Sequence, residues 1–472
     1  MTTATATRPA SRAASLPSSA TERDGAVRQG GITVVTAILP GHTEELRTLL
    51  RCIDRDEDAG TDVEDNTIVP FGKLTRVHFA RWLVFDEATE VRGRTIPATL
   101  VFCSNYDEPL QDHLAEMIRV AGPGLDRIYG HCAGYPSAGH QEPAAVAAYL
   151  RNHCRKVDTF YNGTYGKSVD QIRREARLRQ AIGEFLDERA ARPDGPPRDG
   201  AEVHRAVVAF VRGRPDLEWA LTPPRATRPP FPGGPPLWVL LGALVLGVIA
   251  ALVGAPMATL SILAVVLVVA LLFTAVLLIH ERRDDATAWT EKHRPKKPDL
   301  ARREDRVVQN QLSSVINIKP GLLRAVTLRG VLFAINVLAR LVFYKGKLGT
   351  IPSIHFARWV IVDDGRRLAF FSNFDGSWES YLGEFVDKAS TGLTAVWSNC
   401  VAFPRTRLLV TQGAANEQAF KSYARDRQVV TDVWYSAYKT LTVLNITNNS
   451  ELRRGLSETL GGARLEAWLR RL

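Results

Sequence analysis

The string His78-Phe79-Ala80-Arg81-Trp82 returns, residue for residue, as His355-Phe356-Ala357-Arg358-Trp359. Each copy is followed by a second shared string, Ser104-Asn105-Tyr106-Asp107 in the first half and Ser372-Asn373-Phe374-Asp375 in the second. An imidazole, a guanidinium and a carboxylate are thus supplied twice, in one order. The arginine of such a set could hold an anion through paired hydrogen bonds, and the histidine could serve as general base or axial ligand. The candidate catalytic residues are His355, Arg358 and Asp375; the candidate ligand-binding residues are His78, Arg81, Asn105, Asp107 and Asn373. The second half is favoured because it alone continues into Gly376-Ser377-Trp378, where small residues admit a ligand to the backbone. A latch is the competing reading. In it each arginine pairs with the aspartate of the adjacent strand, and each histidine bonds a carbonyl at the strand start. Two intact copies suit a latch, which is useful in both halves, whereas a duplicated catalytic set often survives in one.

Alternate residues of a strand share a face. His78, Ala80 and Trp82 are therefore expected on one side and Phe79 and Arg81 on the other, with Asn105 beside Asp107. The elements that must carry these residues run β-α-β-β-α-β in each half. In the first half these are a strand at 32–39, a helix at 44–53, the string-bearing strand, a strand at 99–104, a helix at 109–121 and a strand at 125–132. In the second half they are a strand at 312–318 and an apolar-basic helical stretch at 322–344. Strands at 354–362 and 367–372 follow, joined by the tight-turn signal Asp363-Asp364-Gly365. A helix at 378–389 and a strand at 394–400 close the unit. Each half then adds a helix with aromatic residues, Phe160, Tyr161 and Tyr165 in one and Trp434, Tyr435 and Tyr438 in the other. The expected class is α+β, with two ferredoxin-like repeats that could close into an α+β barrel.

Between the repeats, 237–279 is almost wholly apolar. Gly254-Ala255-Pro256 breaks it into a short arm and one comfortably long enough to span a bilayer. This predicts a transmembrane helical hairpin. Arg225 and Arg228 precede it, and Arg282, Arg283, Lys292, Arg294, Lys296 and Lys297 follow, while the turn is uncharged. Both soluble halves are then expected on the cytoplasmic side of the inner membrane. No ionisable residue interrupts the spans, so the hairpin reads as an anchor. The 322–344 stretch, with Arg324, Arg329 and Arg340, is too charged to span. It is either an interfacial helix or a core helix with snorkelling arginines. The expected organisation is a disordered tail (1–30), repeat 1 (31–185), a Pro/Arg-rich linker (186–236), the hairpin (237–280), a charged linker (281–307) and repeat 2 with C-terminal helices (308–472).

A net charge of +10, much of it flanking the apolar block, favours membrane lipids over nucleic acid as partner. The five cysteines lack CxxC spacing and read as small buried residues in a reducing compartment. There is no Walker A loop, no GxGxxG after a strand, no HExxH and no GxSxG elbow. His113, His131, His140 and His153 show no repeated ligand spacing, so no metal site is expected.

The element order and duplication resemble a fused dimeric α+β barrel, the superfamily of dye-decolourising peroxidases, chlorite dismutase and small haem-degrading monooxygenases, over roughly 32–180 and 308–456. The resemblance implies haem and an oxidoreductase acting on an amphipathic or anionic small molecule. Peroxidases of that group carry Gly-x-x-Asp-Gly. Asn373-Phe374-Asp375-Gly376 shares the Asp-Gly but lacks the leading glycine, and the first half has Asp107-Glu108. The alternative is a non-catalytic, membrane-tethered binding or scaffold protein serving a partner enzyme or lipid headgroups.

Overall fold

The computed structural model describes residues 27–56, 61–191, 199–223, 234–284, 304, 307–341, 351–408 and 410–472. Most of the expected N-terminal tail (1–30) and of the 281–307 linker lies outside them, while the last residues of that tail, Gln29 and Gly30, open the first strand. Two-residue strands aside, the strands of the first half are β1 (Gln29–Ala37), β2 (Val77–Phe85), β3 (Thr99–Asp107) and β4 (Thr159–Asn162). The helices there are α1 (Thr43–Asp54), α2 (Leu110–Tyr129), α3 (Pro143–Asn152), α4 (Val169–Ala190) and α5 (Gly200–Arg212). The apolar block forms α6 (Gly234–Gly254) and α7 (Pro256–Arg283), broken at the expected Pro256. The second half has β5 (Gln309–Asn317), α8 (Leu322–Leu341), β6 (Ile354–Val362), β7 (Arg367–Asp375), α9 (Trp378–Trp397), α10 (Glu417–Asp426), β8 (Val433–Ser436), α11 (Val443–Leu456) and α12 (Gly462–Leu469).

The strands form two antiparallel four-stranded sheets, ordered β1-β3-β2-β8 and β4-β6-β7-β5. This arrangement is α+β, but the sheets do not close into the barrel that the element order allowed. Each half also sends its last strand to the other half's sheet. Val433–Ser436 pairs with β2, and Thr159–Asn162 pairs with β6. The sheets face each other across Val35, Leu83, Phe85, Val101 and Cys103 on one side and Val360, Val362, Ala369 and Phe371 on the other. Phe85 stacks on Phe371 across this seam at 6.4 Å between ring centres. The outer faces carry the aromatic cores, with Trp82 on Phe102 and Trp359 on Phe370 under the helices. Covering on both faces explains why all nine residues of β2 are buried and read as a near-continuous apolar run.

Several expected elements differ. The strand placed at 125–132 is the end of α2, which runs through Gly122-Pro123-Gly124 instead of stopping there. Gly124 permits this, because a Cβ would sit 2.0 Å from the Ile68 carbonyl oxygen. The strand placed at 394–400 is likewise the end of α9, whose Leu393, Val396 and Trp397 pack into the second core. The aromatic segments read as helices are β4 and β8, in which Tyr161 and Tyr435 are buried. Part of the 186–236 linker is the ordered α5. Its Val207 and Val211 join a satellite core with Leu178 of α4, Leu452 of α11 and Trp468 of α12.

Among the described residues, two helices are long and apolar enough to cross a membrane: Pro256–Arg283, whose most apolar window has mean hydropathy 3.3, and Leu322–Ala339, at 1.7. The second is not free to cross. It connects β5 to β6, strands of one sheet, and buries Leu328, Leu332 and Ala339 against that sheet's core. Its opposite side exposes Leu322, Val326, Phe333 and Leu338. One stripe of this helix is thus core, as the core-helix reading expects, while the other is exposed and apolar.

Candidate functional site

The two repeated strings meet each other. His78 lies 5.5 Å from Phe356, Phe79 lies 5.2 Å from His355, and Phe79 and Phe356 are 5.8 Å apart, ring centre to ring centre. Both histidines are bulge residues. β2 pairs Val77 with Tyr106 and Phe79 with Asn105, so His78 is the extra residue; β6 repeats this around His355. A bulge re-aims a side chain. It breaks strict alternation and brings His78 to Asp107, which has the parity of the seam residues Val101 and Cys103.

The expected latch pairs are exchanged. Histidine, not arginine, takes the aspartate. Asp107 accepts from His78 Nε2 at 3.0 Å, and Asp375 from His355 Nε2 at 2.7 Å. The second oxygen of each carboxylate caps a helix, accepting from the Val169 amide at 3.0 Å and the Val443 amide at 2.8 Å. These amides open α4 and α11, where a carboxylate also meets the positive end of the helix dipole. Because α4 follows a strand of the second sheet and Asp107 belongs to the first, each His-Asp-cap chain ties one sheet to the other.

The arginines cross the seam as well. Arg81 reaches Leu312 O at 3.1 Å, Ser313 Oγ at 2.8 Å and Ser372 O at 2.9 Å, and also Gln311 Oε1 and Asn373 Oδ1. Arg358 reciprocates, donating to Ile32 O, to Ser104 O at 3.1 Å and to Asn105 Oδ1 at 2.9 Å. The two asparagines touch, with Asn373 Nδ2 3.3 Å from Asn105 Oδ1. No carboxylate is among these partners. Burial pushes the Arg81 guanidinium down to about 9, with the like charge of Arg358 acting in the same direction. Burial also lowers Arg358. Two buried cations are thus held by carbonyl and amide dipoles. Between them, burial raises the Cys103 thiol, although both arginines oppose that shift.

One asymmetry breaks the twofold pattern. His78 Nδ1 lies 2.9 Å from the Tyr438 hydroxyl. By position before α4 and α11, the counterpart of Tyr438 is Thr164. His355 Nδ1 and Thr164 Oγ1 are both buried without a hydrogen-bond partner among the described residues.

The structure thus gathers all eight sequence candidates at the seam, seven of them buried and Asp375 partly so, and all engaged. His78 and His355 have no exposed surface. A haem does not fit these residues. The Nε2 of His355 is taken by Asp375, its ring is wedged between Phe79 and Tyr438, and Arg358 points into backbone carbonyls of the other half. The candidates therefore describe a hub joining the two halves.

An open cleft lies elsewhere. It has a volume of about 650 Å³ and is bounded by the segment before β4, the middle of α8 and the β6–β7 turn. Arg155, Lys156 and Arg329 line it, as do Asp158, Asp363 and Asp364. The acids are spoken for. Asp158 accepts from the Ile361 amide at 2.8 Å, Asp363 pairs with Arg367, and Asp364 pairs with Arg366 at 2.8 Å. Burial raises Asp158 despite Lys156 and Arg329 nearby. The three lining cations are exposed and have no ion-pair partner among the described residues. The sequence reading missed this cleft because its walls come from segments about 200 residues apart. The Asp-Asp-Gly turn, read only as a hairpin signal, and Arg329, read only as part of an apolar-basic helix, are the parts of it visible in sequence.

No family model matches the chain, and neither a curated protein nor a solved structure does.

Proposed function

We propose that this chain is a non-catalytic, membrane-tethered binding protein that takes an anionic amphiphile in the cleft beside α8. The observation that carries this reading is the division of polar groups. The repeated His, Asp and Arg residues are consumed in joining the sheets, whereas Arg155, Lys156 and Arg329 stand unpaired in an open cleft next to the exposed Phe333. Anionic groups favour clustered unpaired cations, and an apolar rim suits an acyl chain.

The membrane placement has its own support. We read α6 and α7 as a hairpin that crosses twice, with both halves on the cytoplasmic side that the flanking arginines and lysines favour. Because β4 and β8 are exchanged across the hairpin, the halves must share one side of any bilayer it enters, which requires an even number of crossings. At its end, Asp284 pairs with Lys319 at 2.7 Å and Arg324 at 2.6 Å, and Thr406 donates to Glu281. These contacts bring the start of α8, with its bare Leu322 and Val326, to the membrane exit. We read each half as a ferredoxin-like repeat with an exchanged last strand, kin in architecture to the fused α+β barrel proteins.

The test is native mass spectrometry of the detergent-extracted chain with dihexanoyl phosphatidylglycerol or dihexanoyl phosphatidylcholine. The anionic lipid should bind, and R155Q/K156Q/R329Q should weaken it roughly tenfold or more, about 1.4 kcal/mol. Equal uptake of both lipids, or no change in the triple variant, would sink the reading.

A further inference from the structure

The segments flanking α1 and α2 bring together three side chains that the seam does not use. His42 Nδ1 and His131 Nδ1 are 3.0 Å apart, and Glu45 Oε2 lies 3.9 Å from His131 Nδ1. All three ligand atoms fall within 4.8 Å of one another. Two imidazole nitrogens bound to one zinc at about 2.0–2.1 Å, with the angles of four-coordinate geometry, stand roughly 3.0–3.4 Å apart. The observed separation is already of that size. His42 and Glu45 are three residues apart at the opening of α1, a spacing that puts both on one face. Glu45 is exposed and can swing toward the pair.

The backbone holds the histidines in place. The Leu39 amide donates to the His131 carbonyl at 2.9 Å, Ile38 bridges to Cys132, and the His42 amide closes the Pro40-Gly41 turn onto Leu39 O at 3.1 Å. Gly41, at φ +86°, permits that turn. Ligands 89 residues apart in the chain are thus presented by a rigid frame.

The second half supplies an internal control. The same frame recurs there, with the Lys319 amide on the Asn399 carbonyl at 2.8 Å, Ile318 bridged to Cys400, and a Pro320-Gly321 turn with Gly321 at φ +115°. The residues at the three positions are Leu322, Ala325 and Asn399. The frame therefore forms without any ligand atoms, and a folding role does not account for the trio. The histidines scattered through the first half looked ordinary in sequence because His42 and His131 are joined only by the β1–α2 contact.

We propose that His42, Glu45 and His131 form a binding site for a divalent transition-metal ion of the zinc type, with solvent completing the coordination. Two imidazoles with one carboxylate suit borderline ions such as Zn²⁺, Co²⁺ or Ni²⁺ and are poor ligands for Ca²⁺ or Mg²⁺. The site belongs to the first half only and lies apart from the α8 cleft, so it stands or falls independently of the lipid reading.

The experiment uses the full-length, tag-free chain in detergent, stripped with chelator and desalted. Zn²⁺ is titrated by calorimetry and Co²⁺ by its ligand-field absorption. One ion per chain is expected, with a Co²⁺ spectrum of nitrogen-oxygen ligation. H42L/H131N, which installs the residues of the twin segment, should abolish stoichiometric uptake while keeping the metal-free melting temperature. Glu45→Gln, a surface change that cannot prevent folding, should weaken binding roughly tenfold. No stoichiometric uptake by the unmutated chain would overturn the site, as would undiminished uptake by H42L/H131N or E45Q.

Discussion

Arg358→Met should lower the apparent melting temperature of the detergent-extracted chain by about 10 °C, from a loss of about 3–5 kcal/mol at roughly 2–4 °C per kcal/mol. Methionine fills much of the same volume but donates nothing. The Ile32 and Ser104 carbonyls and the Asn105 amide oxygen would lose their shared charged donor, leaving the Asn105 oxygen only its bond from Asn373. Each hydrogen bond lost from the charged group costs about 1.5–3 kcal/mol, and relaxation recovers part of the total. Lysine should rescue only partly, because a single ammonium lacks the planar fork that reaches two strands at once. Arg81→Met should behave alike, since Arg81 makes the mirror contacts to Leu312, Ser372 and Asn373. The double variant is the sharper measurement. Arg358 disfavours the charge on Arg81, so removing either relieves the other, and the pair should cost less than the sum. Strict additivity, or a melting temperature within about 2 °C of the parent for either single variant, would show that the guanidiniums do not hold the seam.

His113→Tyr should have the opposite sign. His113 is fully buried, stacked on Tyr106 at 4.3 Å between ring centres, and neither ring nitrogen has a hydrogen-bond partner among the described residues. Burial drives its pKa down to about 3. The unfolded chain therefore takes up a proton below about 6.5 that the folded chain refuses until about 3. Stability from this group is full above pH 6.5 and is lost as pH falls from there toward 3. The twin half shows the repair. Six residues beyond Asp375 stands Tyr381, stacked on Phe374 at 3.8 Å, with its hydroxyl donating to Ser372 Oγ at 2.6 Å. In the first half the counterpart Ser104 Oγ is unpartnered. Tyrosine at 113 would keep the stack, remove the orphaned imidazole and reach that hydroxyl, for a gain of about 1–3 kcal/mol. Thermal melts from pH 7 to pH 4 should show a raised midpoint and a shallower acid decline. An unchanged midpoint with an unchanged pH profile would refute the account.

How far the sequence could be read depends on which physical signal each feature leaves. Duplication was visible in the strings themselves, and the six long strands followed from apolar runs bounded by turn residues. The Asp363-Asp364-Gly365 turn behaves as its residues require, with both aspartates at positive φ. The phase of His78 and His355 was misread because a bulge leaves no mark in an unbroken apolar run. The exchange of β4 and β8 was hidden for another reason. A four-residue strand carries the same alternation whichever sheet it joins, so pairings as distant in the chain as Val433 with Trp82, or Thr159 with Trp359, are decided by packing alone. The helix expected at 109–121 continues through Gly122-Pro123-Gly124, because tertiary packing, with Gly124 against the Ile68 carbonyl, outweighs local propensity. The eight site candidates did converge; what sequence could not supply was depth. Side-chain types announce chemistry, but burial and partner saturation turned these into a joint.

That joint constrains how the chain can be made. When a ribosome has released Asp107, β2 still has an open edge, and the strand that closes it, Val433–Ser436, follows only after the hairpin and most of the second half. The apolar hairpin emerges long before then. The first half must therefore wait, half-built, through delivery of the hairpin and translation of its twin, with a bare strand edge available to any other chain. Neither half is a separable part: a fragment ending at 185 would lack a strand of its own sheet and carry an orphan belonging to the other.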